Sequence, residues 1–304
     1  MKLKRALVAF AIIAFTIVAL LLPALFDGEF RAPLTGPELS SLRYTEVQFQ
    51  NGALALAGML FVPEGEGPFP VAVIIHGSGT SRRTNKWYLS VTEHLQQNGI
   101  VVLLPDKRGS EKSEGNWVGA DFETLAEDTM AAVEYIRKQE LFPHTGIGLV
   151  GMSQGGWIAP VAASRDKDVA FVVSMSGTSV TARQQLVHEE IYNISHYTWP
   201  FVARLLAPIT TGRIQKMDHV KAYASFDPIP FWKKVDAPAF FAFGAKDENV
   251  PVDASINVLK ENLKVDLIKV YPGGGHAIRD PGTNKVQDEF LSDLVEFIKG
   301  SQKS

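Results

Sequence analysis

Apolar and polar positions alternate in several distinct rhythms along this chain. Residues 44–49 and 54–62 alternate with a period of two, as half-buried strands do, and the intervening Asn51-Gly52 predicts a tight antiparallel hairpin at one sheet edge. After Pro70 the alternation stops. Val71–Ile75, Ile100–Leu104, Gly148–Val150, Phe171–Met175 and Phe240–Phe243 are short apolar runs, the pattern of parallel strands covered on both faces. Between them lie helix-period segments at Trp87–Gln97, Phe122–Gln139 and Gly155–Ser164, and Lys285–Lys299 reads as a closing amphipathic helix. This alternation predicts an α/β fold: a mostly parallel, doubly wound sheet with helices on both faces.

Two stretches break the rhythm. Residues 178–235 are too long for a connection and carry helix-like pieces with Tyr192, His196, Tyr197, Trp199, Phe201 and Trp232, which predicts an inserted helical cap. At the other end, Lys2, Lys4 and Arg5 precede an apolar run from Ala6 to Leu22, interrupted by Pro23. Residues 1–26 are expected to be a transmembrane signal anchor, or a signal peptide cleaved near Ala24, and the charge asymmetry argues against a buried core helix. Either places the remainder outside the cytoplasm, membrane-anchored or secreted. Residues 27–42, with Gly28, Pro33, Gly36 and Pro37, read as a linker, and the folded domain as 43–299.

Composition narrows the function. The 304 residues, 46% hydrophobic, suffice for one large globular domain. A net charge of -3 with interspersed acids and bases gives no basic stripe, so no nucleic-acid partner is expected. The absence of cysteine excludes disulfides, a thiol nucleophile and a Cys-ligated zinc.

The chemistry is carried by three local patterns. Gly151-Met152-Ser153-Gln154-Gly155 follows an apolar strand and opens a helix, the setting of a G-x-S-x-G nucleophile elbow, with Ser153 as nucleophile. The Gln154 amide would sit at a helix N-terminus where it can hold an oxyanion. His76-Gly77-Ser78-Gly79 follows the strand Val71–Ile75 and offers the Ser78 amide as the second donor. A serine hydroxyl needs a base. His276, in the loop after Tyr271-Pro272-Gly273-Gly274-Gly275, is the choice over His76, which lies inside the oxyanion loop. The acid that orients it should precede it after a late strand, which selects Asp247, with Glu248 as the fallback.

With these motifs the chain resembles the α/β-hydrolase superfamily, and more narrowly the dienelactone-hydrolase and prolyl-oligopeptidase-like esterases, over Arg43–Lys299. Pro105-Asp106-Lys107-Arg108-Gly109-Ser110 looks like the D-x-R-G loop of such proteins, and the resemblance implies structural roles for Asp106 and Arg108. Asp128, Ala131, Ala132 and Ile136 are similar to the family's helix before the nucleophile strand, again a matter of fold. Only about forty residues precede the hydrolase domain, too few for the β-propeller of the oligopeptidases, so an esterase is expected rather than a peptidase.

The expected reaction is cleavage of a small-molecule carboxylic ester through an acyl-enzyme on Ser153, with no metal or organic cofactor. The same residues would serve thioester, lactone or amide cleavage and acyl transfer, and a membrane-anchored binding protein without turnover is the reading from a different class.

Overall fold

The computed structural model of the chain describes residues 33–265 and 267–301, together with parts of the stretch 5–25. Eight strands form one sheet: β1 Thr45–Asn51, β2 Leu54–Phe61, β3 Phe69–Ile75, β4 Val101–Pro105, β5 His144–Met152, β6 Val169–Met175, β7 Ala239–Gly244 and β8 Leu267–Tyr271. Their order is β1-β2-β4-β3-β5-β6-β7-β8. β1 and β2 are antiparallel to each other, β2 is antiparallel to β4, and every other pairing is parallel.

From β1 onward the α-helices among the described residues are α1 Lys86–Gln97, α2 Phe122–Arg137, α3 Gly155–Ala163, α4 Ala182–Ser195, α5 Pro200–Ile214, α6 Ile229–Trp232, α7 Val252–Asn262 and α8 Asp288–Gly300. β3 shows why its run reads as continuously apolar. Val71, Val73 and Ile75 enter the core under α2, α3 and α7, and Ala72 and Ile74 enter the core under α1 and α8. A strand with both pleat faces buried has no polar positions to alternate with.

The sheet places the site. β4 lies on one side of β3 and β5 on the other, so the loops leaving β3 and β5 diverge over opposite faces. The crevice at the carboxyl ends of strands at such a switch point is where open α/β sheets bind ligands. His76–Gly79 and Ser153 both leave the sheet there.

Three sequence expectations need amendment or lie elsewhere. The hairpin turn is shifted by one residue: Asn51 pairs with Leu54, leaving Gly52 and Ala53 at the turn, and only Gly52 has a positive φ, 59°. Glycine at the first central position alone is the requirement of a type II′ turn. Residues 33–42 are docked rather than a linker. Leu34, Leu39 and Leu42 pack on the core under α1 and α8, Thr35 N–H donates to the Asn284 carbonyl at 2.8 Å, and Lys86 Nζ donates to the Pro37 carbonyl at 2.8 Å. Aperiodic leucines carry no rhythm, yet they fill a groove that distant elements create. The apolar run 6–22 lies largely outside the described residues, among which no helix is long and apolar enough to cross a membrane.

Between β6 and β7, residues 178–235 carry α4, α5 and α6. A capping box starts α4, with Thr181 and Gln184 each closing on the other's backbone N–H. Ala203, Ala207 and Thr211 form the buried face of α5, and α4 and α5 pack together.

Candidate active site

The turn from β5 into α3 is held open by glycines. Ser153 has φ of 55°, a left-handed conformation that strains a residue with a side chain by about 1–2 kcal/mol. Its surroundings over-determine it. A Cβ on Gly151 would stand 2.3 Å from the Gly155 carbonyl oxygen, and one on Gly155 would stand 2.2 Å from the Ile75 carbonyl oxygen. Gly156 serves a third close approach, since its Cβ would lie 2.6 Å from the Gly177 Cα after β6. Backbone bonds hold the geometry: Ser153 N–H donates to the Met175 carbonyl at 2.9 Å, and Gly156 N–H donates to the Ser153 carbonyl at 2.8 Å. The whole of α3 is buried beneath.

The loops after β7 and β8 are locked together in the same way. A Cβ on Gly244, at the end of β7, would stand 2.2 Å from the Gly275 carbonyl oxygen. Lys246 N–H donates to the Gly274 carbonyl at 2.6 Å and Ala245 N–H to the Tyr271 carbonyl at 3.0 Å. These contacts bring residues 29 apart in sequence into register, and Asp247 Oδ1 and Oδ2 each lie 3.0 Å from His276 Nδ1.

His276 Nε2 lies 2.8 Å from Ser153 Oγ. Ser153, His276 and Asp247 are therefore linked by hydrogen bonds in one line, although 123 residues separate the serine from the histidine. The Asp247 side chain is wholly buried and that of His276 is 18% exposed, so the line runs from the interior to the cleft. Asp247 Oδ1 also accepts from the amides of Asn249 and Val250, at 2.9 and 3.0 Å, which fixes the carboxylate from the backbone. Asp247, not the fallback Glu248, faces the imidazole. The ring of Trp87 packs 5.5 Å from that of His276, centroid to centroid.

A cavity of about 240 Å³ opens over this line. Ser78, Gln154, Ser153 and His276 form its floor, and Leu186, Glu189, Ile214 and Tyr223 from the cap region form walls. Both residues expected to supply oxyanion amides thus line the same cavity as Ser153. Burial pushes the Glu189 carboxyl above its ordinary range, partly offset by the hydrogen bond from Gln185 at 3.1 Å. Burial likewise pushes the Tyr223 phenol up.

The loop His76–Gly79 is tied down by residues that sequence reasoning did not single out. Gly77 sits directly on the serine, where a Cβ would meet the Ser153 Cβ at 3.1 Å, and its N–H donates to Tyr88 Oη at 2.8 Å. Lys107 is buried, and its ammonium donates to the carbonyls of Gly77 and Gly79, the latter at 2.9 Å. Burial lowers the Lys107 pKa to about 8. A lysine embedded in the D-x-R-G loop, directly after an apolar strand, was the available signal. His76 turns away from the serine: its Nε2 lies 2.6 Å from the Pro105 carbonyl oxygen, and burial lowers its pKa to about 3. Burial thus favours its neutral form, which donates Nε2–H to that carbonyl.

Asp106 and Arg108 are both engaged in ion pairs. Asp106 forms a buried bidentate pair with Arg83, at 2.9 Å from Nε and 2.6 Å from Nη2, tying the segment before α1 to the end of β4. Arg108 pairs with Asp128 on α2 at 2.5 and 2.7 Å, and Asn51 Nδ2 donates to the same carboxylate at 2.7 Å. Ala132 and Ile136 are buried further along α2. Among the described residues no group of three or more His, Asp or Glu could hold a metal ion.

The family model of the prolyl oligopeptidase family matches residues 88–303, which span β4 to β8, the serine turn, the aspartate and histidine loops and the cap. The chain belongs to the prolyl oligopeptidase family. It has the α/β-hydrolase fold of that superfamily, and an esterase of Pyrococcus furiosus superposes with a TM-score of 0.65 at 18% identity, over 90% of this chain and 99% of that one. Among curated relatives, a thiohydrolase of Aspergillus aculeatus is 34% identical over 155 residues, half of this chain and 47% of that protein. A bifunctional esterase/perhydrolase of Acinetobacter calcoaceticus is 25% identical over 77% of this chain and 94% of its own length. The chain thus spans about half the length of the first of these relatives and nearly all of the second.

Proposed function

We propose that this family member is a carboxylic-ester hydrolase working through an acyl-enzyme on Ser153. The observation that carries the reading is the unbroken line from Ser153 Oγ through His276 to buried Asp247, at 2.8 and 3.0 Å, on the floor of a cavity. Ser153 Oγ attacks the ester carbonyl while His276 Nε2 takes its proton and passes it to the leaving alcohol. Asp247 accepts from His276 Nδ1–H, holding the tautomer that leaves Nε2 free as a base. The amides of Ser78 and Gln154 hold the oxyanion, and water, deprotonated by the same imidazole, releases the acid. This route assigns no step to a metal or organic cofactor.

An ester is favoured over a peptide by the relatives named esterase and perhydrolase, and the relative named thiohydrolase keeps thioesters as the second substrate class. The basic residues Lys2, Lys4 and Arg5 ahead of the apolar run 6–22 support a membrane anchor, with the catalytic domain outside the cytoplasm.

Turnover of a p-nitrophenyl ester series by the full chain, compared with Ser153→Ala and His276→Ala, tests the reading. Each variant should lose at least about ten-thousand-fold in kcat while keeping its circular dichroism, and a fluorophosphonate should label wild type at Ser153 alone. Equal turnover by all three proteins would remove Ser153 from the mechanism.

A further inference from the structure

The cap helix α5 is built inside out. Its inward positions, Ala203, Ala207 and Thr211, are small, and its bulky side chains face outward: Phe201 is 61% exposed, Leu205 72% and Ile209 59%, spaced at four-residue intervals along one stripe. Tyr197 and Trp199 ahead of the helix, and Leu206 and Met217 within and after it, are exposed as well. A helix facing water places its large apolar residues inward, and a stripe of this kind marks a surface that meets something apolar.

What it meets is indicated by where the N-terminal run leads. Thr198 Oγ1 donates to the Leu20 carbonyl and Trp199 Nε1 to the Ala19 carbonyl, both at 2.8 Å, so the end of that run is fastened to the residues that open α5. The stripe is exposed, and among the described residues of the run Phe15 and Val18 are exposed as well. From Tyr197 to Lys221 the chain carries Arg204, Arg213, Lys216 and Lys221 against the single acid Asp218, in a protein whose net charge is -3. All four cations are exposed. Apolar side chains flanked by cations, with Tyr and Trp at the border, are the composition of a segment lying in the boundary of an anionic bilayer.

We infer that α5 docks on an anionic lipid surface through Phe201, Leu205 and Ile209, beside the point where the N-terminal run enters the same bilayer. The inference rests on the anchor reading of that run. α5 ends in Ile214, which lines the catalytic cavity, so docking places the cavity next to the lipid phase and favours esters dissolved in it.

The chain has no cysteine, so Leu205→Cys in the full chain takes a single environment-sensitive nitrobenzoxadiazole (NBD) label, with Lys299→Cys at the end of α8 as the control. Both are reconstituted with vesicles of phosphatidylcholine and phosphatidylglycerol. The expected result is flotation of both proteins with the vesicles, with blue-shifted, brightened emission at position 205 only. Flotation with position 205 emitting like the control overturns the docking and leaves the anchor standing, whereas failure to float overturns both. A blue shift without vesicles that grows with protein concentration overturns it in favour of self-association. In the double variant Leu205→Glu/Ile209→Glu, hydrolysis of a long-chain ester embedded in vesicles should fall at least about tenfold, with a soluble short-chain ester turned over as in wild type. Equal loss on both esters would overturn the inference.

Discussion

On Gly155, beside the serine, a Cβ would stand 2.2 Å from a backbone carbonyl, whereas on Gly212 in α5 it would meet nothing within 4 Å. Around Ser153 the limits are set by backbone from β3, β6 and α3, which cannot yield without moving the sheet. In the cap, the small residues of α5 are buried and the large ones face outward. Reacting atoms need positions fixed to fractions of an ångström, and a strained φ of 55° persists only where the surroundings allow no alternative. A covering element needs only to shape and shield, so its sequence is free to serve another surface.

Four substitutions test that contrast, in order of falling effect. Asp247→Asn keeps an acceptor for the Asn249 and Val250 amides but offers the imidazole an ambiguous partner, so kcat should fall roughly a thousand- to ten-thousand-fold with the melting temperature nearly unchanged. A fall of less than tenfold would remove Asp247 from the line. Gly155→Ala drives a methyl into the Ile75 carbonyl and should cost about 3 kcal/mol or more, read as a lower denaturation midpoint together with lost activity. Native stability in that variant would mean the turn is not over-determined.

Lys107→Met removes the donor to the Gly77 and Gly79 carbonyls and, on the proposed route in which that loop offers the Ser78 amide to the oxyanion, should reduce kcat about ten- to a hundred-fold, with KM changing less. The same variant reports on pH. Folding holds the lysine pKa at about 8 against an ordinary 10.5, so the unfolded chain binds more protons between those values. Wild type should therefore gain stability relative to Lys107→Met as pH rises from about 8 to 10.5, and a constant difference across that window would show that the amine is not desolvated. Gly212→Ala, in open space within α5, should add about 0.5–1 kcal/mol through helix propensity and leave turnover of a soluble ester unchanged. Destabilisation there would mean that the cap is packed as closely as the turn.

Several of these features are legible in the chain and others are not, and the division follows the distance over which each acts. Gly151, Ser153 and Gly155 are neighbours in sequence, and the sharp strand-to-helix turn they form is a local constraint that leaves a local motif. The apolar runs marked the buried strands because a strand covered on both faces has nowhere to put a polar side chain. Asp247 and His276 could be chosen by the order of loops after late strands. The 3.0 Å between them depends on Gly244 lying against Gly275, a contact across 31 positions that no local pattern encodes. Arg83 and the docked residues 33–42 were not legible for the same reason, and the place of Lys107 in its loop marked the residue but not the carbonyls it meets, since all these partners lie on other elements.

By itself, then, the sequence determined the sheet class, the serine turn and the loops that hold the other two residues, because periodicity and turn chemistry act over a few residues. Only the tertiary structure decided which carboxylate meets the imidazole, what fastens the loop His76–Gly79 and which side of α5 is apolar. Those outcomes are set by packing between segments distant in sequence, and such contacts reach across 180 residues in the bond from Trp199 to the Ala19 carbonyl.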